Sequence, residues 1–116
     1  MTRYYKHLTL ERWAEMTIVE QLANVGSEVE RAISWKKKGN PEYSQTAFFR
    51  ALELLDLSLQ ATKIGSRLKE LARLRETLVD YFFGENTWKS SDQLWHTYFY
   101  AFTYAAAINR QKRLKP

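Results

Sequence analysis

The sequence predicts an all-α protein, an antiparallel up-down-up-down four-helix bundle with a long first helix. Apolar side chains recur at i, i+3, i+4 and i+7 over most of the chain, which is the period of an amphipathic helix. Four glycines and two prolines are too few for the many turns of a β-sandwich or barrel. The connections between the apolar stripes are short, which favours antiparallel neighbours. We therefore expect a single domain over residues 1–116, with an N-terminal segment over 1–8.

The first predicted helix runs from Thr9 to Lys38. Thr9 is a suitable N-cap residue, and an uninterrupted apolar stripe follows it at helical spacing. The lysines at 36–38 place cations at the carbonyl end of the helix dipole, and Gly39 is suited to end the helix.

The second and third helices follow from similar signals. Asn40 and Pro41 supply an N-cap and a first helical residue, and the apolar stripe after them ends near Ala61. After a short turn at 62–65, a new stripe predicts a third helix that ends at Gly84.

The fourth predicted helix lies within residues 90–112, and it gives the best functional clue. Ser90 with Gln93 three residues later has the spacing of a capping box. On a helical wheel this segment keeps only one narrow polar lane, whereas an ordinary surface helix is polar over about half of its circumference. Such a helix must be covered by more than its own small domain, or bind a partner. The interface candidates are Tyr100, Tyr104 and Ile108 on one flank of this helix and Leu57 on the outward side of the second helix.

These residues predict a non-enzymatic, self-associating assembly or adaptor module, with a dimer as the expected homo-oligomer. Tyrosine suits an interface because its ring buries area while its hydroxyl tolerates water. The competing expectation is a monomer in which the long first helix and the N-terminal segment cover the flank.

Arg75 interrupts the apolar stripe of the third helix. A guanidinium directed at a core needs acceptors, because an unpaired buried charge is strongly destabilising. Antiparallel register places four acceptors within reach of it: Glu53, Asp56, Glu28 and the Tyr98 hydroxyl. Arg75 is then either a structural ion pair that fixes helix register or a ligand for a phosphate or carboxylate in an interhelical pocket. An enzyme around this pocket has the least support, since no general base or nucleophile is identifiable.

Several site classes lack the residues they need. The chain has no cysteine, which excludes disulfides, thiolate metal sites and a cysteine nucleophile. The two histidines have no metal-ligand or triad spacing, and the glycines are isolated, so we expect no metal, no cofactor and no catalytic residue. No apolar run is long enough for a signal peptide or a membrane span, so we expect a cytoplasmic protein with no membrane contact.

The alternative function is binding of a polyanion, either nucleic acid or an acidic protein. The net charge is +5, and the predicted topology brings the N-terminus, the second turn and the C-terminus to one end. Tyr4, Tyr5 and His7 lie among the cations there and could stack on unpaired bases. A basic tail over 111–116 is expected to be flexible. The polyanion-binding candidates are Arg3, Lys6, Lys63, Arg67, Arg110, Lys112, Arg113 and Lys115.

Overall fold

The computed structural model describes residues 4–114, which form five α-helices and no strand. The helices are α1 Leu10–Ala14, α2 Ile18–Lys37, α3 Pro41–Ala61, α4 Gly65–Phe83 and α5 Asp92–Leu114. Helix α2 packs against α3 and α5, and α3 also packs against α1 and α4. The predicted all-α class is confirmed, and this packing is compatible with a bundle. None of the helices in this part of the chain has the length and hydropathy needed to cross a membrane.

Several predicted helix ends are confirmed. Gly39 has a φ of 78°, the left-handed conformation that glycine adopts without a steric penalty, and it follows α2. The side chain of Asn40 accepts a hydrogen bond from the backbone N–H of Tyr43 at 3.1 Å, and Pro41 opens α3.

The prediction of one long first helix is wrong, because α1 and α2 are separated at residues 15–17. Thr17 is extended, with φ −66° and ψ 160°. Its hydroxyl accepts a hydrogen bond from the backbone N–H of Glu20, and the Glu20 carboxylate accepts one from the N–H of Thr17. This capping box satisfies backbone donors that a helix start leaves open, so a new helix begins here.

A buried polar network holds α1 against α2 and α3 across this break. The indole N–H of Trp13 donates to Ser58 Oγ at 2.9 Å, and the Ser58 hydroxyl donates to Gln21 Oε1 at 2.7 Å. The Gln21 amide then donates to the carbonyls of Trp13 at 3.2 Å and Met16 at 3.0 Å. Trp13, Gln21 and Ser58 are all buried, so each needs these partners in place of water. The network thereby fixes the bend between α1 and α2.

The expectation that Leu57 faces outward is wrong, since its side chain is 9% exposed and belongs to the core. One turn earlier in α3, Glu53 accepts hydrogen bonds from the backbone N–H groups of Tyr4 and Tyr5. Helix α1 packs against the same helix. The chain that precedes α2 thus covers the side of α3 that the sequence pattern assigned to solvent.

The start of α5 also differs from the prediction. Ser91, and not Ser90, accepts a hydrogen bond from the backbone N–H of Leu94 at 3.1 Å. The Gln93 amide donates to the hydroxyl of Thr97 instead of returning to a cap residue. The predicted capping box is therefore replaced by a simple serine cap one residue later.

Helix α5 lies close against α2 because Gly26 leaves room for Phe99. A Cβ atom at position 26 would lie 2.7 Å from the Cβ of Phe99, which is closer than carbon atoms can pack. Beside Phe99, the ring of Trp95 is also buried. Among the described residues, the Trp95 indole N–H has no hydrogen-bond acceptor.

Matched substitutions at Trp13 and Trp95 should have unequal effects on stability. Trp13→Phe and Trp95→Phe remove the same atoms from buried positions, but only the first leaves Ser58 without its donor. We expect Trp13→Phe to lower the free energy of unfolding by about 1–3 kcal/mol more than Trp95→Phe, because the latter deletes a donor that already lacks a partner. Urea denaturation of both variants measures the difference. Equal losses would contradict the role given to the network.

Candidate functional site

Three polar contacts, two near the start of α5 and one at its end, link this helix to α2. They are Asp92–Lys36 at 3.9 Å, His96–Glu30 at 2.9 Å and Arg113–Glu20 at 3.1 Å. From Asp92 to Arg113 along α5, the partner residues on α2 occur in the opposite direction, from Lys36 back to Glu20. Exposed ion pairs contribute only about 0–1 kcal/mol each, so burial of apolar rings holds α5 in place and these contacts select its register.

The N-terminus of α5 is also tied to α4. The hydroxyl of Tyr81, near the end of α4, donates a hydrogen bond to the carboxylate of Asp92. Burial and this hydrogen bond together raise the pKa of Tyr81 to about 12. The hydrogen bond from Tyr81 to Asp92 therefore joins the end of α4 to the start of α5, and it requires a protonated tyrosine.

One flank of α5 is uncovered by the rest of the chain in residues 4–114. Tyr100 and Tyr104 are each 59% exposed, and their rings stack with centroids 6.3 Å apart. Leu94 is equally exposed, while Ile108 is half-buried. Helix α1 and the N-terminal segment pack on α3, so they do not cover this flank as the monomer expectation required.

The exposed flank carries a regularity that the sequence analysis missed. Residues 93–109 contain no aspartate, glutamate, lysine or arginine. Within and just after this stretch, six side chains recur at alternating spacings of three and four, which is the heptad pattern of helices that pair along a seam. We call them the α5 seam: Leu94, Thr97, Ala101, Tyr104, Ile108 and Gln111. All but Ile108 are exposed.

The candidates around Arg75 lie in three separate places. Arg75 Nε donates to Asp56 Oδ1 at 2.7 Å, and the two side chains are 39% and 43% exposed. Glu53 instead binds the N-terminal segment. Tyr98 packs against the rings of its own helix, and burial raises its pKa. Arg75 is thus half of an interhelical ion pair near the surface, and its predicted partners Glu53 and Tyr98 lie elsewhere.

The predicted basic end is brought together only in part. Arg113 and Lys6 line one surface groove, together with Tyr4, Tyr5 and His7. Glu15 and Glu20 line the same groove, and Glu20 pairs with Arg113. Carboxylates therefore offset part of the positive charge where the rings and cations meet.

The other basic candidates among residues 4–114 do not line this groove. Lys63, Arg67, Arg110 and Lys112 are exposed, whereas Arg3 and Lys115 lie outside the described residues. Helix α5 continues to Leu114 and so includes most of the predicted tail. Flexibility of 111–116 and polyanion binding at this end stay predictions.

No protein-family model, curated protein or solved structure matches this chain. In the part of the chain that the structure describes, no three His, Asp or Glu residues are grouped as metal ligands. The chain's own surface is therefore the source of its functional clues.

Tyr81→Phe should change how stability depends on pH. The pKa of Tyr81 is about 12 in the folded protein and about 10 in an unfolded chain. The folded state therefore holds this proton more tightly, and the resulting stabilisation is complete below pH 10 and lost as the pH rises through 12. We expect the Tyr81→Phe variant to lose less stability than the wild type over this interval. Urea denaturation at a series of pH values tests this, and identical slopes would contradict it.

Proposed function

We propose that this protein self-associates through the α5 seam and serves as a non-enzymatic assembly or adaptor module, with a homodimer as its basic unit. The observation that carries the proposal is the exposure of Tyr100 and Tyr104 on a helix that has no charged residue between 93 and 109. Exposed apolar surface of this extent on one helix is typical of protein–protein contact sites.

A second copy fits the seam in antiparallel orientation. If two α5 helices cross between Ala101 and Tyr104, a two-fold axis places Ala101 of each copy opposite Tyr104 of the other. The same register sets Thr97 opposite Ile108 and Leu94 opposite Gln111. Each layer then pairs a larger apolar side chain with a smaller or more flexible one, which favours interdigitation. A two-fold interface uses the same surface on both copies, as this pattern requires.

The chemistry of the flank also suits a reversible interface. The tyrosine rings of Tyr100 and Tyr104 can bury apolar area while their hydroxyls stay at the rim. His96, whose ring lies 6.2 Å from that of Tyr100, adds a polar edge beside the seam. An apolar centre with a polar rim is the usual anatomy of a protein interface.

We further propose that α2, α3, α4 and α5 form an antiparallel up-down-up-down bundle that presents the seam. Support comes from contacts at both ends of the α2–α3 pair. Ser44, near the start of α3, donates to the carbonyl of Ala32 late in α2. Ser58, near the end of α3, bonds to Gln21 early in α2. The contacts between α5 and α2 also run in opposite directions along the two helices, since the start of α5 contacts the end of α2 and the end of α5 contacts its start.

Tyr104→Glu should separate the dimer into monomers. The substitution places an unpaired carboxylate against Ala101 of the second copy, and desolvation of that charge should weaken association by roughly 100-fold or more. Light scattering and sedimentation velocity over a range of protein concentrations measure the mass.

Ile64→Glu is the matched control for this variant. Ile64, the residue just before α4, is 57% exposed and lies outside the seam, so its substitution should leave the mass unchanged. A wild-type protein that stays monomeric throughout the micromolar range would refute the proposal, as would equal effects of the two variants.

Cysteine crosslinking should distinguish the antiparallel register, since the chain has no cysteine of its own. An equal mixture of Ala101→Cys and Tyr104→Cys proteins should form a disulfide-linked heterodimer on mild oxidation. Leu94→Cys protein should not crosslink to itself, because the register separates the two Leu94 positions by about 26 Å along the helices. Efficient self-crosslinking of the Leu94→Cys protein would indicate a parallel pair instead.

A further inference from the structure

Cations and aromatic rings alternate along the groove between α2 and α3. The Lys38 ammonium lies 5.0 Å from the centroid of the Trp35 ring, and that ring packs edge-on against Tyr43 at 4.9 Å. Further along, the guanidinium of Arg50 lies 5.7 Å from the centroid of Tyr4. Tyr43 is 55% exposed, so much of its ring remains open to a ligand.

A cavity of about 260 Å³ lies within this groove. Its lining consists of two arginines, two aromatic residues and two small side chains: Arg31, Trp35, Tyr43, Thr46, Ala47 and Arg50. None of these residues is acidic. The cavity is thus bounded by two guanidinium groups and by two rings, with no carboxylate in its wall.

The positive charge at the cavity is only partly neutralised. Arg31 and Arg50, which are 58% and 43% exposed, share a single carboxylate, that of Glu28. Glu28 is 3% exposed and also accepts a hydrogen bond from the Tyr5 hydroxyl at 2.8 Å. Arg50 Nε lies 4.0 Å from this carboxylate, and the Arg50 guanidinium donates no hydrogen bond to any residue within 4–114. One positive charge with well-exposed donors therefore faces the groove.

We propose that this groove binds single-stranded nucleic acid. Guanidinium groups recognise phosphate with paired hydrogen bonds, and Arg31 of α2 and Arg50 of α3 both line the cavity. The exposed ring of Tyr43 offers a stacking surface for an unpaired base, which is the sequence-tolerant contact that single-strand binders use. Bases within a duplex are stacked and cannot reach such a ring.

The groove suits this ligand better than the predicted basic end does. At that end Glu15 and Glu20 face the cations, whereas Glu28, the carboxylate that pairs with Arg31 and Arg50, is buried. The groove also shares no residue with the α5 seam, so the inference does not depend on self-association.

The test is binding of a labelled single strand of about eight nucleotides, a length within the usual site size of such proteins. Fluorescence anisotropy measures the binding constant at a series of salt concentrations. If Lys38, Arg31 and Arg50 each contact a phosphate, a plot of the logarithm of the binding constant against the logarithm of the salt concentration should have a slope of about −2. Arg50→Gln should weaken binding several-fold and reduce the slope by about 0.7. Tyr43→Ala should weaken binding roughly ten-fold with the slope unchanged.

Matched controls separate this groove from other charged surfaces. Arg73→Gln removes an exposed arginine from α4, and the pair Arg110→Gln and Lys112→Gln removes charge from the basic end. Neither should weaken binding by more than two-fold. Because loss of Arg50 could disturb the buried Glu28, Tyr43→Ala provides a variant at an exposed position, and thermal melting verifies that each variant is folded.

Several results would overturn the inference. These are the absence of binding at low salt, an equal loss in Arg73→Gln and Arg50→Gln, a loss confined to the basic-end variants, and no effect of Tyr43→Ala. Equal competition by polyglutamate would also overturn it, because such a ligand offers charge without bases. So would binding of a free mononucleotide as tightly as the strand, since the groove extends beyond one cavity.

Discussion

The bend between α1 and α2 depends on three buried polar side chains that leave no donor or acceptor unused. Trp13, Ser58 and Gln21 bond to one another and to backbone carbonyls at the break. In a dry interior an unmade hydrogen bond costs more than a made one gains. The network therefore selects one path for the chain and directs Tyr4, Tyr5 and α1 onto α3.

The path of the N-terminal segment has two consequences for the surface. Glu53 and Glu28 hold this segment through backbone and hydroxyl groups of Tyr4 and Tyr5. The Glu28 carboxylate that binds Tyr5 is also the one that Arg31 and Arg50 share, and positive charge is left in the α2–α3 groove. With the segment placed on α3, nothing in residues 4–114 is left to cover the outer flank of α5.

The helices were predictable from local signals, because helix ends and apolar stripes are encoded within a few residues. Gly39 ends a helix by its left-handed backbone, and Asn40 begins the next by the hydrogen bond that its side chain accepts. The break before α2 was predictable from the Thr17 and Glu20 spacing, but the apolar stripe that runs through it favoured a continuous helix. The inward placement of Leu57 was not predictable, since it depends on where the N-terminal segment folds.

The same distinction applies to the candidate sites. The wheel of a single helix was sufficient to name Tyr100 and Tyr104 as interface candidates, whereas their exposure also depends on the packing of α1 against α3. The pairing of Arg75 with Asp56 was predictable from the antiparallel register of neighbouring helices. The pairing of both Arg31 and Arg50 with Glu28 was not. Arg31 lies three residues from Glu28 within α2, but Arg50 reaches this carboxylate only because α3 packs on α2. Since the α5 seam and the α2–α3 groove have no residue in common, a dimer formed through the seam would carry two grooves. A strand long enough to reach both would then bind more tightly than one groove allows, because its second contact becomes intramolecular.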